Sequence, residues 1–208
     1  MIPFRSASLS SLLLAAAFLP AAQPAAPSPA ASTLSNMQAA YNGESNARAK
    51  YLAYAAKAQE EGYAKAASLF RAAAMAEEIH AANHAKVIAS LGAEPKAEIN
   101  TPEVLSTQEN LQEALKGETY ERDVMYPEFL ARARKEGKVD AIRSLNFAKT
   151  AEAEHAKLYQ EALNDLEGWR TQNVSFYVCP VCGYTSPTRP AEKCPSSFTP
   201  SSRFLTIG

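Results

Sequence analysis

Glu77 and His80 stand three residues apart in AEEIH, and Glu152 and His155 repeat that spacing in AEAEH. On an α-helix, residues three apart share a face one turn apart, so a carboxylate and an imidazole at this spacing can converge on one point. Converging oxygen and nitrogen donors suit a metal of intermediate hardness such as iron or manganese. A single pair would mean little in a chain with 22 acidic residues. Two pairs at equivalent places in a repeat mean more. His84, the remaining histidine, follows His80 by four on the same face, but its counterpart is Tyr159. It reads as a packing or supporting residue rather than a ligand.

The repeat runs through the helical region. GES at 43–45 matches GET at 117–119 with an offset of 74, whereas EEGY at 60–63 matches KEGK at 135–138 and AEEIH matches AEAEH with an offset of 75. The halves therefore correspond along their length with one slip, and each reads as a helical hairpin. Gly62 and Gly137 close the first helix of each half, where glycine accepts a left-handed backbone. Ser106 and Glu109 form a capping box at the start of the third helix. The expected helices span 36–61, 63–91, 107–136 and 138–167, with a long proline-bearing crossover between the second and third and a bend at Pro127. The expected fold is an all-α four-helix bundle followed by a small β/loop module.

Glu44 in GES and Glu118 in GET complete the constellation. One glutamate from each of two helices and one Glu-x-x-His from each of the other two is the ligand pattern of ferritin-like di-iron and di-manganese sites. Without cations, four buried carboxylates would repel one another and lose their hydration. The symmetry breaks once: Glu121 lies three after Glu118, while its counterpart is Ala47.

The remainder of the chain bounds the function. Its 21 basic and 22 acidic residues sum to a net charge of −1, which lacks the basic footprint of a nucleic-acid binder. Residues 1–32 carry Arg5, an apolar run from Leu9 to Leu19 and a Pro/Ala tract. The run falls short of the roughly 20 apolar residues of a spanning helix and fits a secretory signal, so export to the periplasm is expected.

GESNARAKYLAYAAKAQEEGY, AEEIHAANHAK, GETYERDVMYPEFLARARKEG and AEAEHAKLY together resemble the rubrerythrin family across the bundle. The resemblance implies two irons, with manganese as the alternative, bridged by Glu77 and Glu152 and capped by Glu44 and Glu118. It implies that His155 binds the iron on the Glu118 side, that His80 and Glu121 exchange as ligands of the other iron with redox state, and that Tyr51 and Tyr126 lie close to the metals. It further implies a homodimer that reduces hydrogen peroxide to water with electrons from a donor the sequence does not identify. A ferritin-like iron store with slow oxidase activity, and a bundle whose metals serve stability alone, are the alternatives.

The division expected is 33–168 for the bundle and 169–208 for a tail of short strands and turns. CPVCGY presents Cys179 and Cys182 as a metal knuckle. Family resemblance implies a rubredoxin-like site with a second knuckle, but KCPSSF keeps Cys194, puts Ser197 in place of the fourth thiolate, and has no glycine after it. Three thiolates with Ser197 or water around one iron or zinc ion is one reading. A Cys179–Cys182 disulfide is the other.

Overall fold

The structure, a computed structural model, describes Met1, residues 32–170 and residues 174–208. Apart from Met1 and Ser32, the expected export segment lies outside the described residues. No described helix is long and apolar enough to cross a membrane.

Helix α1 spans Thr33–Glu60 and α2 spans Ala64–Ser90. Helix α3 spans Thr107–Tyr120, a π-helical segment covers Glu121–Met125, α4 spans Tyr126–Lys135, and α5 spans Val139–Asn164. The boundaries follow local chemistry. Ser32 caps α1 in a reciprocal box with Ser35, and Ser106 caps α3 with Glu109 as the sequence requires. Gly62 and Gly137 turn the hairpins at φ 81° and 65°. Alanines such as Ala66, Ala67, Ala73, Ala148 and Ala151 are fully buried, and their short side chains let the helices approach closely.

The expected single third helix is instead two α segments joined by a π segment. Tyr126 donates its N–H to the Glu121 carbonyl, the i to i−5 bond of a π turn, which holds one residue more than an α turn. That extra residue explains the slip in the repeat: Glu44 and Glu118 are 74 apart, but Tyr51 and Tyr126 are 75 apart. Pro127 is the second residue of α4, directly after the π segment in a contiguous helical run, where it supplies no N–H to the preceding turn.

The crossover after α2 is held by a polar stripe on α1. Gln38 donates to the Glu94 carbonyl and accepts from the Lys96 N–H; Asn42 accepts from Glu98 N–H; Asn46 donates to the Glu98 carbonyl and accepts from Asn100 N–H. Four helical residues rise about 6 Å and two extended residues span about 6.6 Å. Side chains every four along α1 therefore meet alternate amides of an extended strand, and satisfy them without a sheet.

The tail is a three-stranded antiparallel sheet ordered β2-β1-β3, with β1 Phe176–Val178, β2 Thr185–Ser186 and β3 Leu205–Ile207. Phe176 and Val178 point into the apolar cluster that also holds Tyr51, Phe70 and Tyr159. A second cluster of Met37, Ile88, Tyr126, Leu130 and Leu145 packs the other end of the bundle.

Candidate metal centre

Six side chains from four helices meet inside the bundle. Glu44 comes from α1, Glu77 and His80 from α2, Glu118 from α3, and Glu152 and His155 from α5; all six are at most 1% exposed. Their donor atoms form two sets, each within 4.8 Å: Glu44, Glu77, His80 and Glu152 in one, Glu77, Glu118, Glu152 and His155 in the other. Glu77 and Glu152 belong to both. His80 Nδ1 lies 2.8 Å from Glu77 Oε2 and 3.2 Å from Glu152 Oε1, while His155 Nδ1 lies 3.0 Å from Glu152 Oε2 and 3.5 Å from Glu118 Oε1.

The pocket fits two cations because its donors have few other partners. Among the described residues, Glu44 Oε2, Glu77 Oε1, Glu118 Oε2, both Glu152 oxygens and His155 Nδ1 are buried without a hydrogen-bond partner. Orphaned atoms of this kind are rare in folded proteins. Electrostatics agree. Burial and the charges of Glu77 and Glu152 drive the Glu44 carboxyl well up. Burial and Glu152 push Glu118 up to about 8. Burial works against ionised Glu77 as well, but the neighbouring His155 and His80 overcome it and pull that carboxyl down. Burial opposes charge on His80, yet Glu152 and Glu77 raise it to about 10. His155 rises for the same reason, with Glu118 as the largest partner.

Each outer glutamate is oriented by a tyrosine from the opposite hairpin. Tyr51 of α1 donates to Glu118 Oε1 at 2.6 Å, and Tyr126 of α4 donates to Glu44 Oε1. His84 and Tyr159 flank these pairs in turn. His84 Nδ1 bonds Ser144 Oγ at 2.7 Å, and its Nε2 approaches Tyr126 Oη at 3.3 Å and Glu44 Oε1 at 3.7 Å. Burial and the neighbouring His80 charge lower His84 to about 3, so it is a neutral ring beside the site and outside both donor sets. Tyr159 packs on Tyr51 with ring centroids 5.8 Å apart.

Glu121 is not in either set. It is half-buried and borders a cleft of about 350 Å³ together with Asn42, Asn46, Ala47, Lys50 and Asn100. Burial first, then Glu118 and Glu152, raise its carboxyl well above the usual range, while Lys50 opposes the shift.

The histidine ring orientations come from the tail. His80 Nε2 lies 3.1 Å from the Cys182 carbonyl, which can only accept, so that nitrogen carries the proton and Nδ1 is left to face the pocket. Thr185 Oγ1 donates to the Gly183 carbonyl at 3.0 Å and accepts from His155 Nε2 at 3.0 Å. Second partners of this kind fix the tautomer of a ligating histidine. A Cβ on Gly183 would stand 2.2 Å from His80 Nε2, and the residue has φ 73°, so both contact and backbone demand glycine. Neither Ser144, Thr185 nor the Cys182 carbonyl is recognisable from spacing, because none repeats between the halves.

Residues 35–163 match the rubrerythrin family model. The chain belongs to the rubrerythrin family. It is 40% identical to nigerythrin of Nitratidesulfovibrio vulgaris over 83% of this chain and 85% of that one, and 36% identical to rubrerythrin-2 of Clostridium acetobutylicum over 79% and 91%. The solved structure of fully reduced, all-ferrous nigerythrin superimposes with a TM-score of 0.80 at 38% identity, covering 88% of this chain and 90% of that chain. A bacterioferritin of Desulfovibrio desulfuricans, 19% identical with a TM-score of 0.59 over 65% of this chain and 80% of that one, shares the bundle fold. As a rubrerythrin-family protein the chain also carries the family's rubredoxin-like tail. There Cys179, Cys182 and Cys194 are buried free thiols with sulfurs within 4.8 Å of one another. The alternative of a Cys179–Cys182 disulfide is not what the structure holds: Cys182 Sγ is 3.5 Å from Cys194 Sγ, and Cys179 Sγ is 3.2 Å from Ser197 Oγ.

Proposed function

We propose that the bundle holds two irons and reduces hydrogen peroxide to water as a non-haem peroxidase. The observation that carries this reading is the pair of four-residue donor sets sharing Glu77 and Glu152, with five of their eight carboxylate oxygens otherwise unpartnered. When bound, a ferrous pair supplies two electrons, one from each ion, and with two protons these convert hydrogen peroxide to two waters.

The chain's own residues supply position. Glu77 and Glu152, common to both donor sets, would serve both ions, Glu44 and Glu118 would each serve one, and His80 and His155 would be the nitrogen ligands. Tyr51 and Tyr126 keep the terminal carboxylates aimed inward by donating to them, and buried tyrosines exclude bulk water. Glu121 borders a cleft large enough to hold a molecule the size of peroxide, and stands one helical turn from Glu118. It is the proposed partner of His80 in ligand exchange: the carboxylate adds negative charge where the imidazole adds none, and so favours the more oxidised pair.

Peroxide consumption by anaerobically reduced protein, normalised to bound iron, tests the proposal. Turnover that scales with occupancy of two irons per bundle is expected. Negligible turnover at full occupancy removes the peroxidase reading, and iron uptake well beyond two per bundle turns the assignment toward storage.

A further inference from the structure

We infer that the tail binds one iron or zinc ion through Cys179, Cys182, Cys194 and the Ser197 hydroxyl, making it a three-thiolate, one-oxygen site. The two loops that would hold this ion have the same backbone despite different residues. Gly183 N–H donates to the Cys179 carbonyl at 3.0 Å, and Phe198 N–H donates to the Cys194 carbonyl at 3.0 Å. Cys179 N–H donates to the Tyr184 carbonyl at 2.9 Å, and Cys194 N–H donates to the Thr199 carbonyl at 2.8 Å. Ser197 thus occupies in the second loop the place that Cys182 occupies in the first.

The second loop holds this shape against a local cost. Phe198 has φ 59°, the left-handed conformation that Gly183 adopts freely at the matching place, and is the only described non-glycine residue with positive φ. Its ring is 65% exposed, so packing does not repay the strain. Strain of this kind persists where surrounding structure enforces it, and clusters at ligand-binding segments. Here the conformation aims Ser197 inward. Its hydroxyl is 3.2 Å from Cys179 Sγ and 2.8 Å from the hydroxyl of buried Thr199, and its N–H points to Cys194 Sγ at 3.5 Å. Thr199 is then placed to donate to a serine oxygen that gives its own proton up to bind metal.

An alkoxide oxygen is a harder donor than a thiolate and favours ferric over ferrous iron. The iron-loaded tail is therefore expected to have a lower reduction potential than its Ser197→Cys counterpart. This inference is independent of the peroxidase reading, because sulfur-to-iron charge-transfer absorption in the visible arises from the tail and not from the carboxylate pocket.

The test uses the full chain, isolated under reducing conditions and loaded anaerobically with ferrous iron or, separately, zinc. Metal content, visible absorption after oxidation and a potentiometric titration of that absorption are compared with Ser197→Ala and Ser197→Cys. The expected result is three irons per chain in the unaltered protein, a thiolate-to-iron band, tail affinity weakened about 10-fold or more in Ser197→Ala, and a potential raised in Ser197→Cys. The inference is overturned by a third metal bound equally well by Ser197→Ala, by a tail that takes metal only as Ser197→Cys, or by a potential that does not rise in that variant. A fold check by far-UV circular dichroism on each variant, with zinc binding as a second probe, separates lost ligation from lost structure. Loss of turnover with the tail band intact would count against the peroxidase reading alone.

Discussion

The first hairpin, α1 and α2, and the second, α3 to α5, supply the pocket with the same three ligands each, yet they differ at one turn of helix. After Glu44 the first hairpin continues as regular α-helix past Ala47 to Tyr51; after Glu118 the second passes Glu121 and a π segment before reaching Tyr126. Both routes bring the tyrosine to the inner face, where it bonds the glutamate of the other hairpin. Ligands held in common make the metal pair, and the irregular turn makes its two sides unequal. The fifth carboxylate sits at the cleft as the first residue of the segment whose backbone departs from the α pattern, a feature often found where helices carry function.

The equivalence of the hairpins is broken most severely at the shared residues. Glu77→Ala and Glu152→Ala each remove a donor from both sets, so the iron held in the bundle should fall from two toward zero in either variant, a loss of two irons per chain by metal analysis, whereas Glu118→Ala should spare the Glu44 side. Retention of both irons in Glu152→Ala would end the account of a shared pair.

Proton competition comes next in size and should act on both sides. The carboxylates raise His80 to about 10 and burial with Glu152 raises Glu118 to about 8 in the metal-free pocket, so at neutral pH these groups hold protons that metal must displace. Affinity should therefore rise with pH, by about one decade per unit for each proton released. Calorimetric titration in buffers of different ionisation heat counts those protons, and a flat affinity between pH 6 and 8, chosen as roughly the range below both values, would contradict the assignment.

The asymmetric turn offers a sharper trial. Deleting Asp123, which is exposed, should let residues 118–126 revert to α-helix with Glu118 and Tyr126 spaced as Glu44 and Tyr51 are. A deletion inside a helix ordinarily rotates everything beyond it by about 100°. Here the helix should survive with two irons bound, and circular dichroism with metal analysis will show it; an unfolded product would mean that the π turn is not the inserted residue. Glu121→Ala should likewise keep both irons while slowing peroxide turnover, on the order of 100-fold for loss of one positioned catalytic group, and unchanged turnover would remove Glu121 from the mechanism.

Smallest is the effect of a single orienting hydroxyl. Tyr51→Phe leaves Glu118 without its partner and should cost roughly 0.5–1.5 kcal/mol of stability, the range for a neutral hydrogen bond, because the metal-free carboxyl holds its proton at neutral pH. Tyr126→Phe should cost a similar amount if the hairpins are as alike as their geometry, and denaturant unfolding of metal-free protein compares the two.

Much of the bundle was legible because its signals are local or repeated. The capping box at Ser106 and the glycine turns at Gly62 and Gly137 need only neighbouring residues, and the ligands announced themselves by occurring twice. The helix interruption was half legible: the slip in offset and Pro127 both mark the place, but neither says that the inserted residue is taken up in a π turn. The Gln38, Asn42 and Asn46 stripe and the anchors of the two histidines left no such trace. Their partners are backbone groups far along the chain, and a carbonyl such as that of Cys182 carries no residue signature.

What the order of residues determined by itself is the ligand inventory, its two-fold repetition, and the helical period that puts Glu77 with His80 and Glu152 with His155 on common faces. Those follow from spacing along one helix, where geometry is set by 3.6 residues per turn. Tertiary structure decided which face meets which: that tyrosines cross between hairpins, that tail groups hold the histidine rings, that Glu121 lies at the cleft outside both donor sets, and that a strained loop turns Ser197 toward three thiols. Such contacts depend on the rotation and distance between elements, which packing of the whole chain sets and no local period encodes.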